Sequence, residues 1–538
     1  MIQRIVRCHL WIAAALAATV LCTGLFGGTR VAAGSDAYGY VSQVDLWLRG
    51  DLHIDQSFGA SVPWPLARWT FMPLGYRPEP DGYRIVPQYS PGLPLLMAAF
   101  KLIAGQCAIF WVVPVCGALL VFATYAIGWR LERPIVGLAA AWLVATSPTQ
   151  LFMLMAPMSD VPAAAAWAVA VACALGRTPR SAFAAGVAAA AAILIRPNIA
   201  PLAGVIFLWL LWPAFAKASA GKRDAAWRAL CFAIPAAAGA VAVGVINARL
   251  YGSPLVSGYD MTDAYLLSYV LPNARRYLWW LFSAETPFAI AGFASLAIPL
   301  ARIWRTRESR EALWLLAGIA AAVWISYLLY VPWDAWWYLR FLLPAWPMMA
   351  IGTASLAAAL YRARPAVARP AAIVVLALIG VSGLSQAVQR DTFSVAAGEA
   401  KYVEVARTVE ALTAPDDVII AAQHSGSVRY YAGRLTLRWD VGDPAWLDRT
   451  VDWLAAHGHH PYFVLEPQEI DELRARVGPV NASARLDWTP MVSFRGGAVT
   501  MYDGVRRERG GATVSQLPSR ALTDCPPQKP WPVLREVR

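Results

Sequence analysis

The chain contains a series of long stretches without a charged side chain, and these stretches limit the folds that are open to it. A helix needs about 20 mostly apolar residues to cross the hydrocarbon core of a bilayer. Most of the stretches are that long or nearly so, and several are rich in Ala and Gly, which suits close helix packing in lipid. The sequence therefore predicts a polytopic α-helical membrane protein. The stretches are 8–29, 102–129, 134–159, 161–176, 181–195, 197–216, 229–248, 286–301, 312–333, 341–361 and 370–389.

The density of charged residues changes near residue 390. Residues 1–390 hold 29 Lys and Arg and 15 Asp and Glu, whereas the shorter remainder holds 17 and 19. We therefore predict a membrane domain over 1–390, a soluble domain over 391–505 and a loose tail over 506–538. The patterns of the soluble part predict a small α/β domain, with helices at 400–412, 444–457 and 468–477 and strands at 418–422 and 462–465.

The basic clusters predict the orientation of the chain, because Lys and Arg mark cytoplasmic loops. Cytoplasmic positions for these clusters leave two long outer loops, 29–89 and 249–285, which carry many of the acidic residues. The apolar stretch 90–104 would reverse this pattern if it crossed, so we interpret it as a re-entrant or interfacial helix. About 11 spans result, and the odd number predicts an extracytoplasmic C-terminal domain. The clusters are Arg4/Arg7, Arg130/Arg133, Arg177/Arg180, Lys217–Arg228, Arg302–Arg310 and Arg362–Arg369.

The N-terminus and the cysteines carry less information. The first stretch follows Arg4 and Arg7 and is interpreted as an uncleaved anchor, although residues 31–33 would also serve as a signal-peptide cleavage site. The 7 cysteines are scattered, mostly in apolar stretches, and show no disulfide framework. We therefore interpret them as small core residues. The net charge of +12 comes from the membrane part and does not indicate nucleic-acid binding.

Four short motifs suggest a known class of protein. Ser35-Asp36 opens the first outer loop. The segment from Gln88 to Leu96 contains Tyr89-Ser90-Pro91-Gly92. Met158-Ser159-Asp160-Val161-Pro162 follows later, and Tyr338-Leu339-Arg340-Phe341 begins a late span. In order and in side of the membrane these motifs resemble the GT-C class of integral-membrane glycosyltransferases, in particular protein mannosyltransferases and the lipid A aminoarabinose transferase.

The resemblance implies a transferase that uses a polyprenyl-phosphate sugar and attaches the sugar to a hydroxyl group of a glycan, lipid or protein. Asp36 matches the position of the base that removes the acceptor's proton, and a helix cap is the alternative interpretation of this residue. Asp160 would help to place the acceptor or would bind a metal, and Ser159-Asp160-Val161-Pro162 is also a good helix start. The resemblance implies no certain cofactor and leaves a divalent metal open.

The other candidate residues are expected to bind the substrate. Arg340 is the best candidate for the donor phosphate, because a guanidinium matches phosphate geometry, although it would also suit simple snorkelling to the membrane surface. Arg275 and Arg276 would grip the same phosphate or anchor the chain to anionic headgroups. Tyr338 would stack on the sugar or belong to an aromatic belt, and Tyr89 lies at the same boundary.

The sequence thus predicts an inverting glycosyltransferase of the bacterial inner membrane, with its chemistry at the outer face. A transporter or lipid flippase is the alternative, but the acidic residues lie at one face rather than along a path through the spans. A non-catalytic envelope assembly protein is a second alternative. The donor sugar and the acceptor cannot be read from these residues.

Overall fold

The computed structural model describes residues 2–212, 219–259, 261–298, 300–363, 365–505 and 525–534. Lys217 and Arg364 of the basic clusters lie outside the described residues, as do 506–524 and 535–538 of the predicted tail.

The first 390 residues are predominantly helical. Six helices are long and apolar enough to cross a membrane, or up to seven if the pair Pro134–Ala145 and Pro148–Leu154, bent by 60°, counts as one span. Four shorter apolar helices accompany them, including Gly92–Ala104, which covers the predicted re-entrant segment. The span count of 11 therefore remains a prediction. The α-helices of this part are Ile2–Gly27, Asp36–Val41, Gln43–Arg49, Ala67–Thr70, Gly92–Ala104, Val112–Leu131, Pro134–Ala145, Pro148–Leu154, Asp160–Ala174, Pro179–Ile195, Pro201–Leu211, Ser219–Tyr251, Val270–Ser283, Phe288–Ala297, Arg307–Leu328, Trp346–Ala363 and Pro365–Gln389.

The first outer loop is ordered by short elements of its own. Strands β1 (Ile54–Asp55), β2 (Tyr76–Pro78) and β3 (Arg84–Pro87) form an antiparallel sheet in the order β1-β3-β2. The sheet buries Tyr76, Ile85 and Val86. Because its last strand leads directly to Tyr89, it holds that ring in a fixed place against the helix that begins at Asp36.

Residues 418–503 build a five-stranded mixed sheet in the order β5-β4-β6-β8-β7. β4 pairs in parallel with β5 and β6, while β8 runs antiparallel to β6 and β7. The central strand β4 is wholly apolar and buried along its whole length, as expected for a strand covered on both faces. The strands are β4 Val418–Ile420, β5 Leu435–Leu437, β6 Pro461–Leu465, β7 Val492–Phe494 and β8 Val499–Asp503, and the α-helices around them are Val395–Leu412, Ser425–Ala432, Leu447–Ala456 and Pro467–Arg476.

This sheet region is bound tightly to the first outer loop. The side chain of Arg429 is 1% exposed and donates to the Phe71 carbonyl across the interface. Two further bonds join the same surfaces, from the Leu74 amide to Ser425 at 3.1 Å and from the Arg438 amide to the Thr70 carbonyl at 2.7 Å. An unpaired buried backbone group is costly, so these bonds fix the relative position of the two surfaces.

Residues 525–534 also contact this interface, which differs from the loose tail that their composition predicts. The Lys529 amide donates to the Tyr430 carbonyl at 2.9 Å, and the Trp531 ring lies 5.3 Å from the Tyr76 ring. Cys525 forms a disulfide with Cys107, 418 residues earlier in the chain. Our interpretation of all 7 cysteines as small core residues is therefore wrong for these two. No local spacing could reveal a partner so distant in sequence.

Most of the basic clusters that we assigned to the cytoplasm gather at one end of the helices. Helix Val112–Leu131 leads from the disulfide at Cys107 to Glu132, whose carboxylate accepts from the Arg305 amide at 3.0 Å. At the same end Arg177 pairs with Glu311 at 3.0 Å, and Arg362 donates to the Arg302 carbonyl at 3.1 Å.

Candidate functional site

Asp36 begins the short helix Asp36–Val41 at the start of the first outer loop. Gly34 precedes it with a φ of +54°, a conformation that favours glycine. In the same helix Gly39 leaves room for the Tyr89 ring, because an added Cβ would lie 2.3 Å from the ring carbons. Gly34 thus allows the chain to turn into the helix, and Gly39 allows the helix to pack closely on Tyr89.

Tyr89 and Ser35 hold one side of the Asp36 carboxylate. The Tyr89 hydroxyl donates to Oδ1 of Asp36 at 2.6 Å and lies 2.7 Å from the Ser35 hydroxyl. Ser35 is the N-cap residue but makes no side-chain cap bond, so the polar groups here serve the carboxylate rather than the helix end. Burial raises the pKa of Tyr89 well above its usual value of 10, and the charge of Asp36 raises it further. Tyr89 therefore remains a proton donor to Asp36.

Arg340 holds the other side of the same carboxylate. It lies in the 3-10 helix Trp336–Ala345, and its Nη2 donates to Oδ2 of Asp36 at 3.2 Å. Its guanidinium lies over the rings of Tyr338 and Phe341, at 5.1 and 5.4 Å from the ring centroids. The Arg340 side chain is 13% exposed and that of Asp36 is 34% exposed, so this pair can be reached from outside.

A second, deeper ion pair lies beside the first. Asp160 begins helix Asp160–Ala174 and is 1% exposed. Its Oδ1 accepts a bond from Nη2 of Arg196 at 2.7 Å and lies 3.9 Å from Nε of Arg340. Asp160 thus attracts both arginines, and its carboxylate joins the two pairs into one network.

Hydroxyl groups connect the two pairs. The Tyr40 hydroxyl donates to Ser159 at 2.9 Å, and Nη2 of Arg196 donates to the same serine at 3.2 Å. Tyr40 lies on the helix of Asp36, and its ring is 4.9 Å from the Tyr89 ring. These contacts fix the distance between the helix of Asp36 and the helix of Asp160.

Two polar atoms at the centre of the network lack a hydrogen bond. They are Nε of Arg340 and Oδ2 of Asp160, both buried, and neither has a hydrogen-bond partner among the described residues. Native proteins rarely leave such groups unsatisfied without a reason. Their position beside the accessible Asp36 carboxylate indicates a place where a polar ligand or water completes the bonding.

The donor set does not fit a resident divalent cation. The carboxylates of Asp36 and Asp160 are each paired with an arginine. Within the described part of the chain, no group of three or more His, Cys, Asp or Glu side chains could hold a metal ion. We therefore derive no step through a metal.

The structure brings five of the seven predicted site residues together, namely Asp36, Asp160, Tyr89, Arg340 and Tyr338. The other two lie elsewhere. Arg276 pairs with the exposed Asp334 at 3.4 Å, and Arg275 is exposed on the same helix. No contact described in the structure joins either of them to Asp36, Asp160 or Arg340.

Arg196 was not among the predicted site residues. A signal was present, because Arg196 is the only charged residue between positions 181 and 216. A charge inside a long apolar segment is costly and is usually functional. Because an apolar stretch lies on each side of Arg196, we interpreted this residue as the boundary between two spans.

Comparison with solved structures identifies the fold. The chain has the fold of the GT-C membrane glycosyltransferases, which confirms the resemblance at the level of the fold. The structure is similar to that of ArnT from Cupriavidus metallidurans bound to undecaprenyl phosphate, with a TM-score of 0.56 and 12% identity over 93% of this chain and 98% of that one.

A second solved structure shares the fold. It is the archaeal oligosaccharyltransferase AglB from Archaeoglobus fulgidus in complex with an inhibitory peptide and a dolichol-phosphate, with a TM-score of 0.52 and 13% identity over 88% of this chain and 71% of that one. No protein-family model matches the chain, and no curated protein matches it in sequence.

Proposed function

We propose that this protein transfers a sugar from a polyprenyl-phosphate donor to a hydroxyl acceptor at the outer face of a bacterial inner membrane, with inversion at the anomeric carbon. One observation carries the proposal. An accessible carboxylate, Asp36, forms an ion pair with a largely buried arginine, Arg340. The lipid phosphates in the ArnT and AglB structures support the choice of donor.

Asp36 acts as the general base. Its carboxylate removes the proton from the acceptor hydroxyl, and the oxygen attacks the anomeric carbon of the donor sugar. The bond from that carbon to the phosphate oxygen breaks, and polyprenyl phosphate departs. Because the acceptor oxygen attacks from the face opposite the phosphate, the configuration of the carbon inverts. Proton transfer of this kind contributes about 10²–10⁴-fold to a rate. Each carboxylate oxygen of Asp36 accepts a bond already, but a carboxylate has about four lone-pair sites, which leaves room for the acceptor.

Arg340 stabilises the charge that develops on the leaving phosphate. Preorganised cations in a water-poor site are among the largest contributions to catalysis, and the two rings beneath the guanidinium hold it in place. Asp160 and Arg196 serve as support. They fix the orientation of Arg340 through the 3.9 Å approach of its Nε to Asp160.

Two observations support the outer face. Disulfides persist in oxidising compartments such as the periplasm, and the Cys107–Cys525 disulfide lies at the end of the helices that carries the sheet region. The basic clusters gather at the opposite end, as expected for the cytoplasmic side. The site belongs to the disulfide end, because Gly34 lies against Gln423 and Tyr402 of the C-terminal part.

The C-terminal domain shapes the acceptor side of the site. It contacts the turn before Asp36 through Gln423 and Tyr402, whose side chains are hydrogen-bonded at 2.9 Å. A domain fixed at this point limits which acceptors reach the carboxylate.

The test compares Asp36→Asn with wild type in a strain that lacks the chromosomal gene. Membrane levels of the two proteins are matched by immunoblotting, and envelope glycans are analysed by mass spectrometry. We expect the wild type to restore a glycosylated product and Asp36→Asn to leave it about 10²–10⁴-fold lower.

Asp81→Asn is the matched control, because Asp81 is an exposed carboxylate of the same outer loop, and we expect it to behave as wild type. Undiminished product from Asp36→Asn would show that this carboxylate is not the base. Restored flux of a solute or lipid without a new glycosidic bond would support the transporter or flippase instead.

A further inference from the structure

A shallow cavity of about 500 Å³, wide open to the outside, lies where the last apolar helix meets the C-terminal part of the chain. Helix Pro365–Gln389 ends beside it, and helix Val395–Leu412 begins at its wall. The cavity shares no lining residue with the Asp36 site, and Trp337, the neighbour of Tyr338 in the chain, stacks on Phe152 of the cavity wall at 6.1 Å. The lining residues are Phe152, Arg390, Asp391, Ser394, Val395, Ala397, Gly398 and Arg495.

Arg390 brings a positive charge to this cavity without an acidic partner. It forms no salt bridge among the described residues; Nη2 donates to the Ser283 carbonyl, whereas Nε is buried and has no hydrogen-bond partner there. The guanidinium lies over the Trp336 ring, 4.9 Å from its centroid. A partly buried charge is expensive unless it is paired, so this position favours an anionic ligand.

The start of helix Val395–Leu412 adds to the attraction for an anion. Its first turn lines the cavity through Val395, Ala397 and Gly398, and the N-cap residue Ser394 makes no side-chain cap bond. Free amides at a helix N-terminus favour a phosphate group. The hydroxyl of Ser394 and these amides therefore complement the Arg390 guanidinium.

Asp391 restricts the kind of anion. It is exposed, lines the same cavity and has a φ of +54°. A residue other than glycine in this region of φ is strained by about 1–3 kcal/mol, and Asp391 adopts it directly after Arg390 in the chain, in the lining of the same cavity. A ligand with only negative charge would be repelled by Asp391, whereas a ligand with a phosphate and an ammonium group would match both side chains.

The other arginine of the cavity contributes less charge. Arg495 binds Glu404 through two bonds at 2.8 and 2.7 Å and donates to the Ala397 carbonyl at 2.9 Å. Its charge is compensated within the protein, so it forms part of the wall. Among the described residues that line the cavity, Arg390 and Asp391 are the charged side chains without an ion pair.

The position of the cavity matches the headgroup level of a membrane. Arg390 directly follows the candidate span Pro370–Gln389. The rings of Phe152, Trp336 and Trp337 lie at the same boundary, with Phe152 and Trp336 5.0 Å apart. Such rings concentrate where hydrocarbon meets water. Phe152 and Val395 offer an apolar wall to the first carbons of an acyl chain.

We propose that this cavity binds the phosphoethanolamine headgroup of a zwitterionic phospholipid, with Arg390, Ser394 and the helix amides on the phosphate and Asp391 on the ammonium. The bound lipid would join the C-terminal part of the chain to the membrane surface beside the Asp36 site. This site is independent of the proposed transfer reaction, because it requires neither the donor nor the acceptor.

The experiment measures lipid retention by native mass spectrometry of the full-length protein in detergent. The protein is delipidated and then mixed separately with phosphatidylethanolamine, phosphatidylglycerol and phosphatidylcholine of identical acyl chains. We expect phosphatidylethanolamine to bind about tenfold more tightly than the other two, from the strength of a hydrogen bond to a charged group. Arg390→Gln and Asp391→Asn should each remove most of this preference.

Arg307→Gln is the matched control, because Arg307 is a highly exposed arginine at the other end of the helices, and it should bind as wild type. Arg390→Lys should fold as wild type and retain intermediate affinity, so it keeps the test valid if Arg390→Gln is unstable. Equal binding of phosphatidylglycerol, or unchanged selectivity in Asp391→Asn and both Arg390 variants, would overturn the proposal. Displacement of the lipid by millimolar inorganic phosphate would show that the cavity takes free phosphate instead.

Discussion

The two ion pairs of the site differ in depth, and the difference separates chemistry from support. In the outer pair, Asp36 is 34% exposed and lies 3.2 Å from Arg340. In the inner pair, Asp160 is 1% exposed and lies 2.7 Å from Arg196, which also bonds Ser159. The outer pair is open to a substrate, whereas the inner pair is buried and its arginine makes further bonds to Ser159 and Tyr327. We infer that substitution of the outer pair lowers the rate, while substitution of the inner pair lowers stability.

The largest effect after Asp36→Asn is expected for Arg340→Gln in the outer pair. Loss of a preorganised charge at a leaving group lowers kcat by about 10²–10³-fold. Arg340→Lys should fall between this variant and wild type, because lysine keeps the charge but loses the forked geometry. The measurement is product formation at matched protein level. Equal activity in Arg340→Gln and wild type would remove Arg340 from the reaction.

Arg196→Gln tests the inner pair. It leaves the Asp160 carboxylate buried and without its main partner, which typically costs about 3–5 kcal/mol. We expect a clear fall in the thermal unfolding midpoint of the detergent-solubilised protein. The control is Arg276→Gln, because Arg276 pairs with an 85% exposed Asp334 and exposed pairs contribute about 0–1 kcal/mol.

The double variant Asp160→Asn/Arg196→Gln sharpens the same test. It removes both charges, so it should be more stable than Arg196→Gln alone. If the single and double variants have the same thermal unfolding midpoint as wild type but have lost activity, the inner pair acts in the reaction rather than as support.

Tyr89→Phe should have a smaller effect on the outer pair. It removes the 2.6 Å bond to Asp36 but keeps the ring that packs on Gly39. A hydrogen bond to a charged group contributes about 1.5–3 kcal/mol, so we expect roughly a tenfold loss of product formation and a smaller fall in stability than that of Arg196→Gln. Tyr83→Phe in the same loop is the control, since its ring is 38% exposed. A loss of product formation larger than that of Arg340→Gln would contradict our expectation that Arg340 contributes more to the reaction than Tyr89.

The prediction with the smallest expected effect concerns the side of the membrane on which both ion pairs lie. Mass tagging of thiols in denatured protein from membranes should give 5 tags per chain before reduction and 7 after it, because Cys107 and Cys525 are joined and the other 5 cysteines are free. The Cys525→Ser variant should give 6 tags in both conditions. Seven tags without reduction would remove the support from the disulfide for an outer-face site.

Much of the fold follows from patterns that are local in sequence. The uncharged stretches predict helices that the structure contains, for example Val112–Leu131 and Pro365–Gln389. In the C-terminal part, the strand predicted at 462–465 lies within Pro461–Leu465, and the helix predicted at 468–477 matches Pro467–Arg476. The strand Leu435–Leu437 was missed because three residues give no readable alternation.

The sequence by itself determined which residue types stand at the membrane boundary, and it pointed to Asp36, Asp160, Tyr89 and Arg340 because each follows or begins an apolar segment. The tertiary structure alone decided which charges meet. Arg340 and Asp36 are 304 positions apart, and the partners Cys107 and Cys525 are 418 apart. It also placed Arg196 in the ion-pair network, whereas Arg276 pairs with Asp334 instead. Hydropathy and charge are properties of short segments and can be read along the chain, whereas ion pairing depends on how distant helices pack, which no short segment records.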